Sequence, residues 1–196
     1  MIFNLINVCI HKLFRKTTDF FLNYKYLLLR KYYRKKCLDV GAGTGRFSKY
    51  LLDMGHKVKS LDIVDKSEFP ELNLTLFNGK KIPFDDQAFD TSTLMFVLHH
   101  TNYQDELIKE CKRVTSKYII IGEDVMKCGV DRVLGNIHLG TSPWSKSKNG
   151  FKTKAEWLSF FKNHGLRLVK SVAIPRSIYP IYPVYREIFV LQPINE

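Results

Sequence analysis

Three glycines at alternate positions, Gly41, Gly43 and Gly45, separate an apolar run from a helix-like segment in "KKCLDVGAGTGRFSKYLLDMGHKVKSLDI", Lys35 to Ile63. Backbone this bare lets a ligand lie directly against it. A dinucleotide pyrophosphate asks for G-x-G-x-x-G, because the third glycine admits its close approach. This chain carries Arg46 at that third point. The G-x-G-x-G spacing suits a flat ligand without a pyrophosphate. Asp39 adds a negative charge at the preceding strand end, which repels phosphate and suits a ligand bearing an ammonium and a sulfonium. Asp62 follows roughly 20 residues past the glycines, where a carboxylate can accept hydrogen bonds from two ribose hydroxyls.

A second group of residues could move protons. His99 and His100 follow a fourth strand, and Glu123 and Asp124 end a fifth. The carboxyl ends of strands are where open α/β sheets bind ligands. His138 lies in the irregular segment that follows. Histidine titrates near neutrality, so these five are the candidates for accepting or orienting an acceptor's proton. His56 and His164 sit beside helix-ending glycines, where a cation suits the helix dipole, and read as structural. Cys9, Cys37, Cys111 and Cys128 form no CxxC and no zinc-ligand cluster. Reduced thiols, no metal and a cytoplasmic, reducing setting are expected.

The elements that must position these groups alternate. "KCLDV" predicts a buried strand, Arg46 to Met54 a helix stopped by Gly55, "HKVKSLDI" a second strand and "LNLTLF" a third. "FDTSTLMFV" is a fourth strand, Asp105 to Val114 a helix, and "KYIIIGEDV" a fifth strand, apolar enough for a central parallel position. Thr153 with Glu156 predicts a capping box opening a helix that ends at Gly165. "LRLVKSVAI" and "YREIFVLQ" predict two final strands whose short connection makes them antiparallel. The whole is an α/β fold with a mostly parallel sheet, an antiparallel C-terminal strand and flanking helices.

With 196 residues the chain suits one domain of ordinary globular composition. Residues 1–36 carry nine Lys or Arg against Asp19 alone, out of a net charge of +12. Ile2, Leu5, Ile6, Cys9, Leu13 and Phe14 recur there at helical spacing. We expect a basic amphipathic arm over 1–36, acting as a lid or docking on an anionic membrane surface, ahead of a domain over 37–196. "MIFNLINVCI" is too short and too polar to span a bilayer, and it lacks the marks of a signal peptide. The interleaved aromatics of the arm also suit nucleic acid, without any recognisable RNA-binding motif.

"LDVGAGTGRFSKYLLDMGHKVKSLDI" resembles the opening motifs of class I S-adenosylmethionine-dependent methyltransferases, especially the broad type 11 group. The resemblance continues through Asn78-Gly79, Ile82-Pro83-Phe84, Phe89-Asp90, Leu98-His99-His100 and "LIKECKRVTSKYIIIGEDV", covering Cys37 to Val125. It implies a Rossmann-like fold and S-adenosylmethionine as cofactor. Asp39, Gly41, Ala42 and Gly43 would form the loop under the methionine and ribose, and Asp62 with Ile63 would hold the ribose side. Asn78 or Gly79 would meet the adenine, and Met95 and Phe96 would pack near the sulfonium. No [DNS]-P-P-[YFW] motif follows the fourth strand and no Pro-Cys pair occurs, which disfavours methylation of DNA amines or of cytosine C5. The expected acceptor is a small molecule or lipid-like compound. Trp144, Tyr179, Tyr182 and Tyr185 are placed to shape its pocket. An RNA methyltransferase and a non-catalytic binding protein are the alternatives.

Overall fold

A computed structural model describes residues 22–127, 129, 131, 133, 150–175 and 185–194. The chain divides into two compact units, Met1–Lys31 and Tyr32–Glu196. The described part of the first contains a helix over 22–29, α1. The rest of the predicted amphipathic pattern, residues 1–21, lies outside the described residues. The unit boundary falls five residues before the one read from charge. Tyr32 to Lys35 lead straight into the first strand, and the Tyr32 carbonyl accepts a hydrogen bond from Thr91 Oγ1 at 2.8 Å.

The second unit is built on a seven-stranded sheet in the order β3-β2-β1-β4-β5-β7-β6. Its strands are β1 (Lys36–Val40), β2 (Lys57–Asp62), β3 (Thr75–Leu76), β4 (Phe89–Met95), β5 (Thr115–Val125), β6 (Leu166–Ile174) and β7 (Tyr185–Pro193). Further helices among the described residues include α2 (Arg46–Asp53), α3 (Gln104–Val114) and α4 (Lys154–Asn163). All neighbours pair parallel except β7, which runs antiparallel to both β5 and β6. The antiparallel strand therefore lies one place in from the edge. That position explains why Ile188, Phe189, Val190 and Leu191 are all buried.

The chain leaves β1 toward β2 on one side and, after β3, returns to lie on the other side as β4. Right-handed crossovers running in opposite directions put α2 and α3 on opposite faces. Between β1 and β4 no crossover covers the carboxyl ends, and a crevice opens there. The core comes from apolar strand residues such as Leu38, Val40, Leu94, Ile119 and Ile121, with Leu107, Ile108, Cys111 and Val114 from α3. The last four recur at i, i+1, i+4 and i+7, one stripe of a helix.

Helix α4 closes the far end of the sheet. Its predicted capping box is present in both directions, Thr153 accepting from the Glu156 amide and Glu156 from the Thr153 amide. Trp157 is fully buried, stacks on Phe161 at 5.7 Å and donates from Nε1 to the Asp124 carbonyl at 3.3 Å. Trp157→Ala removes a large buried side chain whose space cannot refill, and is expected to cost about 3–5 kcal/mol of unfolding free energy. Equilibrium denaturation of the full chain measures this; a loss below about 1 kcal/mol would contradict the packing described.

Candidate functional site

The β1–α2 turn is where the glycines do different things. Gly41 and Ala42 both donate to the Leu61 carbonyl, at 2.7 and 3.1 Å, which ties the turn to the end of β2. Gly43 donates to Asp62 Oδ2 at 2.7 Å, and Ile63 donates to Asp62 Oδ1 at 2.7 Å. One carboxylate thus fixes the turn and its own strand end. Val64 also donates to Oδ1, at 3.4 Å, so of about four lone-pair positions one, on Oδ2, is left for an incoming hydroxyl. Gly41, Gly43 and Gly45 all have positive φ, at 73°, 56° and 78°. A Cβ on Gly41 would overlap the Val97 side chain, and one on Gly45 would come within 2.7 Å of Leu72. At Gly43 a Cβ would meet nothing. The first and third glycines are therefore bare for the protein's own packing, and the middle one is bare toward open space.

That space is a cleft of about 590 Å³ at the crevice. Gly41, Gly43 and Asp62 form one side. Ile63 and Val64, 46 % and 44 % exposed, lie beside Phe77, Asn78 and Gly79. Phe96, Val97, His100 and Thr101 form the opposite wall, with Tyr103 and Leu107 beyond. Asn78 Oδ1 accepts from the amides of Lys80 and Lys81, both at 2.9 Å, which holds the turn after β3. Lys80 Nζ sits 4.1 Å from the centre of the Tyr103 ring. The cleft offers a hydrogen-bonding carboxylate at one point and apolar walls around it.

Of the ten residues assigned to a cofactor, Gly41, Gly43, Asp62, Ile63, Asn78, Gly79 and Phe96 line this cleft. Ala42 and Met95 do not line it, and neither does Asp39. Asp39 is buried, with its carboxylate turned inward to accept from Ser48 Oγ at 2.6 Å and Thr93 Oγ1 at 2.8 Å. It joins β1, α2 and β4 beneath the glycine turn. Spacing alone could not reveal this, because a strand-end acid can face either the ligand or the neighbouring helix.

The five candidate acid–base residues separate. His100 lines the cleft. His99 and Glu123 are 1 % and 0 % exposed and meet each other, Nδ1 to Oε2, at 2.5 Å. Asp124 is buried and accepts from Arg186 Nε at 3.1 Å. His138 lies outside the described residues, as do Trp144, Tyr179 and Tyr182; Tyr185 is described, with Lys127 Nζ over its ring at 3.7 Å. His56 and His164 hold backbone carbonyls, of Arg34 and Phe160, as a structural reading expects. Cys37 and Cys111 are free buried thiols, and burial pushes Cys37 up to about 12. Two features had no sequence signal strong enough to find them: the positive φ of Phe96, 63°, and the Arg186 guanidinium 5.0 Å over its ring.

A second, shallower groove surrounds Arg113. Its guanidinium donates to the carbonyls of Ile82 and Phe84 and to Asp86 and Glu110 at 2.7 to 2.9 Å. The Ile82-Pro83-Phe84 turn is therefore clamped by α3, and the groove is a structural staple.

Two outcomes follow from this geometry. Gly41→Ala meets both the unfavourable φ and the Val97 side chain, whereas Gly43→Ala meets only the φ. Gly41→Ala is expected to destabilise more, by at least about 1 kcal/mol in denaturation, and Val97→Ala in the same chain should recover part of it. For His99, burial opposes the charged ring, but the adjoining Glu123 carboxylate more than offsets it, so the proton is held more tightly than usual. With the folded value raised above the ordinary 6.5, the stability from this ring is complete below 6.5 and is lost as pH climbs through the folded value. Unfolding midpoints should fall over that rise, and fall less in His99→Asn; equal slopes would contradict the pairing.

Comparison with known proteins agrees with the architecture. Residues 38–118 match the family described as "Methyltransferase domain", type 11. The demethylmenaquinone methyltransferase of Renibacterium salmoninarum is 33 % identical over 87 residues, which are 41 % of this chain and 37 % of that protein. The match thus spans under two fifths of that relative's length. Among solved structures, a SAM-dependent methyltransferase of Methanosarcina mazei superposes with a TM-score of 0.70 at 17 % identity, covering 86 % of this chain and 98 % of that one. The 1,6-didemethyltoxoflavin-N1-methyltransferase of Burkholderia thailandensis, solved with 1,6-didemethyltoxoflavin and S-adenosylhomocysteine, gives 0.64 at 17 % identity, covering 82 % and 71 %. The strand order, the glycine turn on Asp62 and the matched domain agree: residues 38–118 match a type 11 methyltransferase domain, and the fold is that of the class I methyltransferases.

Proposed function

We propose that this chain binds S-adenosylmethionine in the cleft at the β1–β4 crevice and transfers its methyl group to a small-molecule acceptor. The observation that carries this is the Asp62 carboxylate, which pins the Gly43 amide and lines the cleft. The residues fit the cofactor. Asp62 Oδ2 has an acceptor position for one ribose hydroxyl, a second can replace the long Val64 bond on Oδ1, and Gly43 leaves room for a nucleoside to lie across the turn. Ile63 and Val64 offer exposed apolar surface for an adenine, next to Asn78 and Gly79. A dinucleotide fits less well, because Arg46, the first residue of α2, stands where the third glycine would be and pairs with Glu68 at 3.3 Å.

When bound, the cofactor supplies a methyl group on a sulfonium, which leaves readily once a nucleophile is in line. The chain's part is then positioning and the exclusion of water, with proton removal where the acceptor requires it. Phe96 and Val97 wall the end of the cleft opposite Asp62, and His100 is the titratable candidate facing that space. The curated relative is named for a quinone, and the toxoflavin enzyme for a flat heteroaromatic. Both support a flat organic acceptor, which an apolar wall ending in Phe96 suits. Membrane docking by the basic arm remains a separate proposal, tested by flotation with liposomes of anionic lipid with and without residues 1–36.

Calorimetry with S-adenosylhomocysteine and NAD tests the cofactor. We expect binding of the first and not the second. Asp62→Ala should weaken S-adenosylhomocysteine by about 10- to 100-fold, the range for lost hydrogen bonds to a charged group. Unchanged affinity would remove Asp62 from the site. Radiolabelled methyl transfer into metabolite, lipid and RNA fractions then identifies the acceptor class. Label in the RNA alone, or none in any fraction despite tight binding, would overturn the small-molecule reading.

A further inference from the structure

One wall of the cleft is a turn with little regular structure of its own. Phe96, Val97, His100 and Thr101 all line the cleft, and the only regular element among them is a three-residue 3-10 turn, Leu98–His100. Phe96 holds φ at 63°, a region that L side chains rarely adopt and that persists only where the surroundings impose it. The surroundings are consecutive residues of β5. The Gly122 carbonyl accepts from the Phe96 amide at 2.8 Å. The next residue, Glu123, uses both oxygens on the turn. Oε1 accepts from the Leu98 amide at 2.8 Å, and Oε2 meets His99 Nδ1 at 2.5 Å. Phe151 stacks on the far side of His99 at 4.9 Å, and the His100 ring lies 4.1 Å away. The Gly150 position is closed as well, since a Cβ there would overlap the His99 backbone.

We infer that Glu123, acting through the Leu98 amide and the His99 ring, is the positioning residue that sets the Phe96–Thr101 wall and aims His100 into the cleft. Its burial keeps it from touching a ligand, so its effect travels through the turn. The inference rests on the methyltransferase reading for the identity of the ligand and on the hydrogen bonds for the positioning itself.

Glu123→Gln separates charge from shape. The amide oxygen can still accept from Leu98, but the imidazolium loses its counter-charge. Facing an N–H instead of a carboxylate, Nδ1 must become an acceptor, which requires the neutral ring. The other charges around His99 are Asp124 from β5 and Arg186 from β7, with His100 in the same turn; Lys152, ahead of α4, faces Glu123. Asp124 favours the imidazolium and Arg186 opposes it.

The experiment uses the full chain, wild type and Glu123→Gln, with isotope-labelled histidine and backbone amides, and S-adenosylhomocysteine as the probe. In the wild type, the Leu98 and Val97 amides should titrate together with the His99 ring. In the variant, the His99 midpoint should fall, and affinity at neutral pH should weaken about tenfold while the amide spectrum stays folded. Affinity unchanged within about twofold, with the His99 midpoint lowered, would overturn the inference. If the variant does not fold, wild-type amides that fail to follow the His99 ring would overturn it. If the wild type binds no S-adenosylhomocysteine, the methyltransferase reading falls. Co-titration of Leu98 with His99 then upholds the strut, and independent titration refutes it.

Discussion

One carboxylate at the end of β2 fixes the geometry on which the cleft depends. Asp62 accepts from the Gly43 amide and from its own neighbour Ile63, so the turn leaving β1 and the segment leaving β2 are held by the same group. The Leu61 carbonyl adds two more bonds from Gly41 and Ala42. Hydrogen bonds to a charged acceptor are stronger than neutral ones, and here they preorganise a loop whose glycines would otherwise sample many conformations. The sheet order does the rest. Since β1 lies between β2 and β4, the turn sits at the point where the chain reverses direction across the sheet, and the crevice opens above it.

The opposite wall is built on a different principle. There the backbone is irregular, and a buried carboxylate of β5 carries the constraint. Glu123 gathers Leu98 and His99 there, while beneath the glycine turn Asp39 of β1 gathers Ser48 and Thr93. Such groups are costly to bury unless hydrogen-bonded, which makes each arrangement specific. Phe96, strained in backbone and covered by Arg186, lies in the cleft wall that Glu123 ties to β5.

Much of this was legible in the residues. The strand "KCLDV" and the strand "LRLVKSVAI" form over the lengths read from pattern, and the Thr153–Glu156 cap forms as its spacing demands. Asp62 could be read because the turn before it and the strand under it both have local signatures. The roles of Asp39, His99 and Glu123 could not, because each depends on a partner 9 to 54 residues away across the sheet. A carboxylate at a strand end looks the same in sequence whether it meets a ligand or a buried hydroxyl. The glycines show the same limit: G-x-G-x-G signals a bare turn, but only packing distinguishes Gly41, filled by Val97, from Gly43, open to the cleft.

The most direct measurement is a two-dimensional amide spectrum of the isotope-labelled full chain, titrated with S-adenosylhomocysteine. A nucleoside held at Asp62 would shift the amides of Gly43, Ile63, Gly79 and Phe96 together, leaving the Arg113 staple unmoved. Shifts confined to other parts of the sheet, or none at saturating nucleoside, would contradict the site described for this chain.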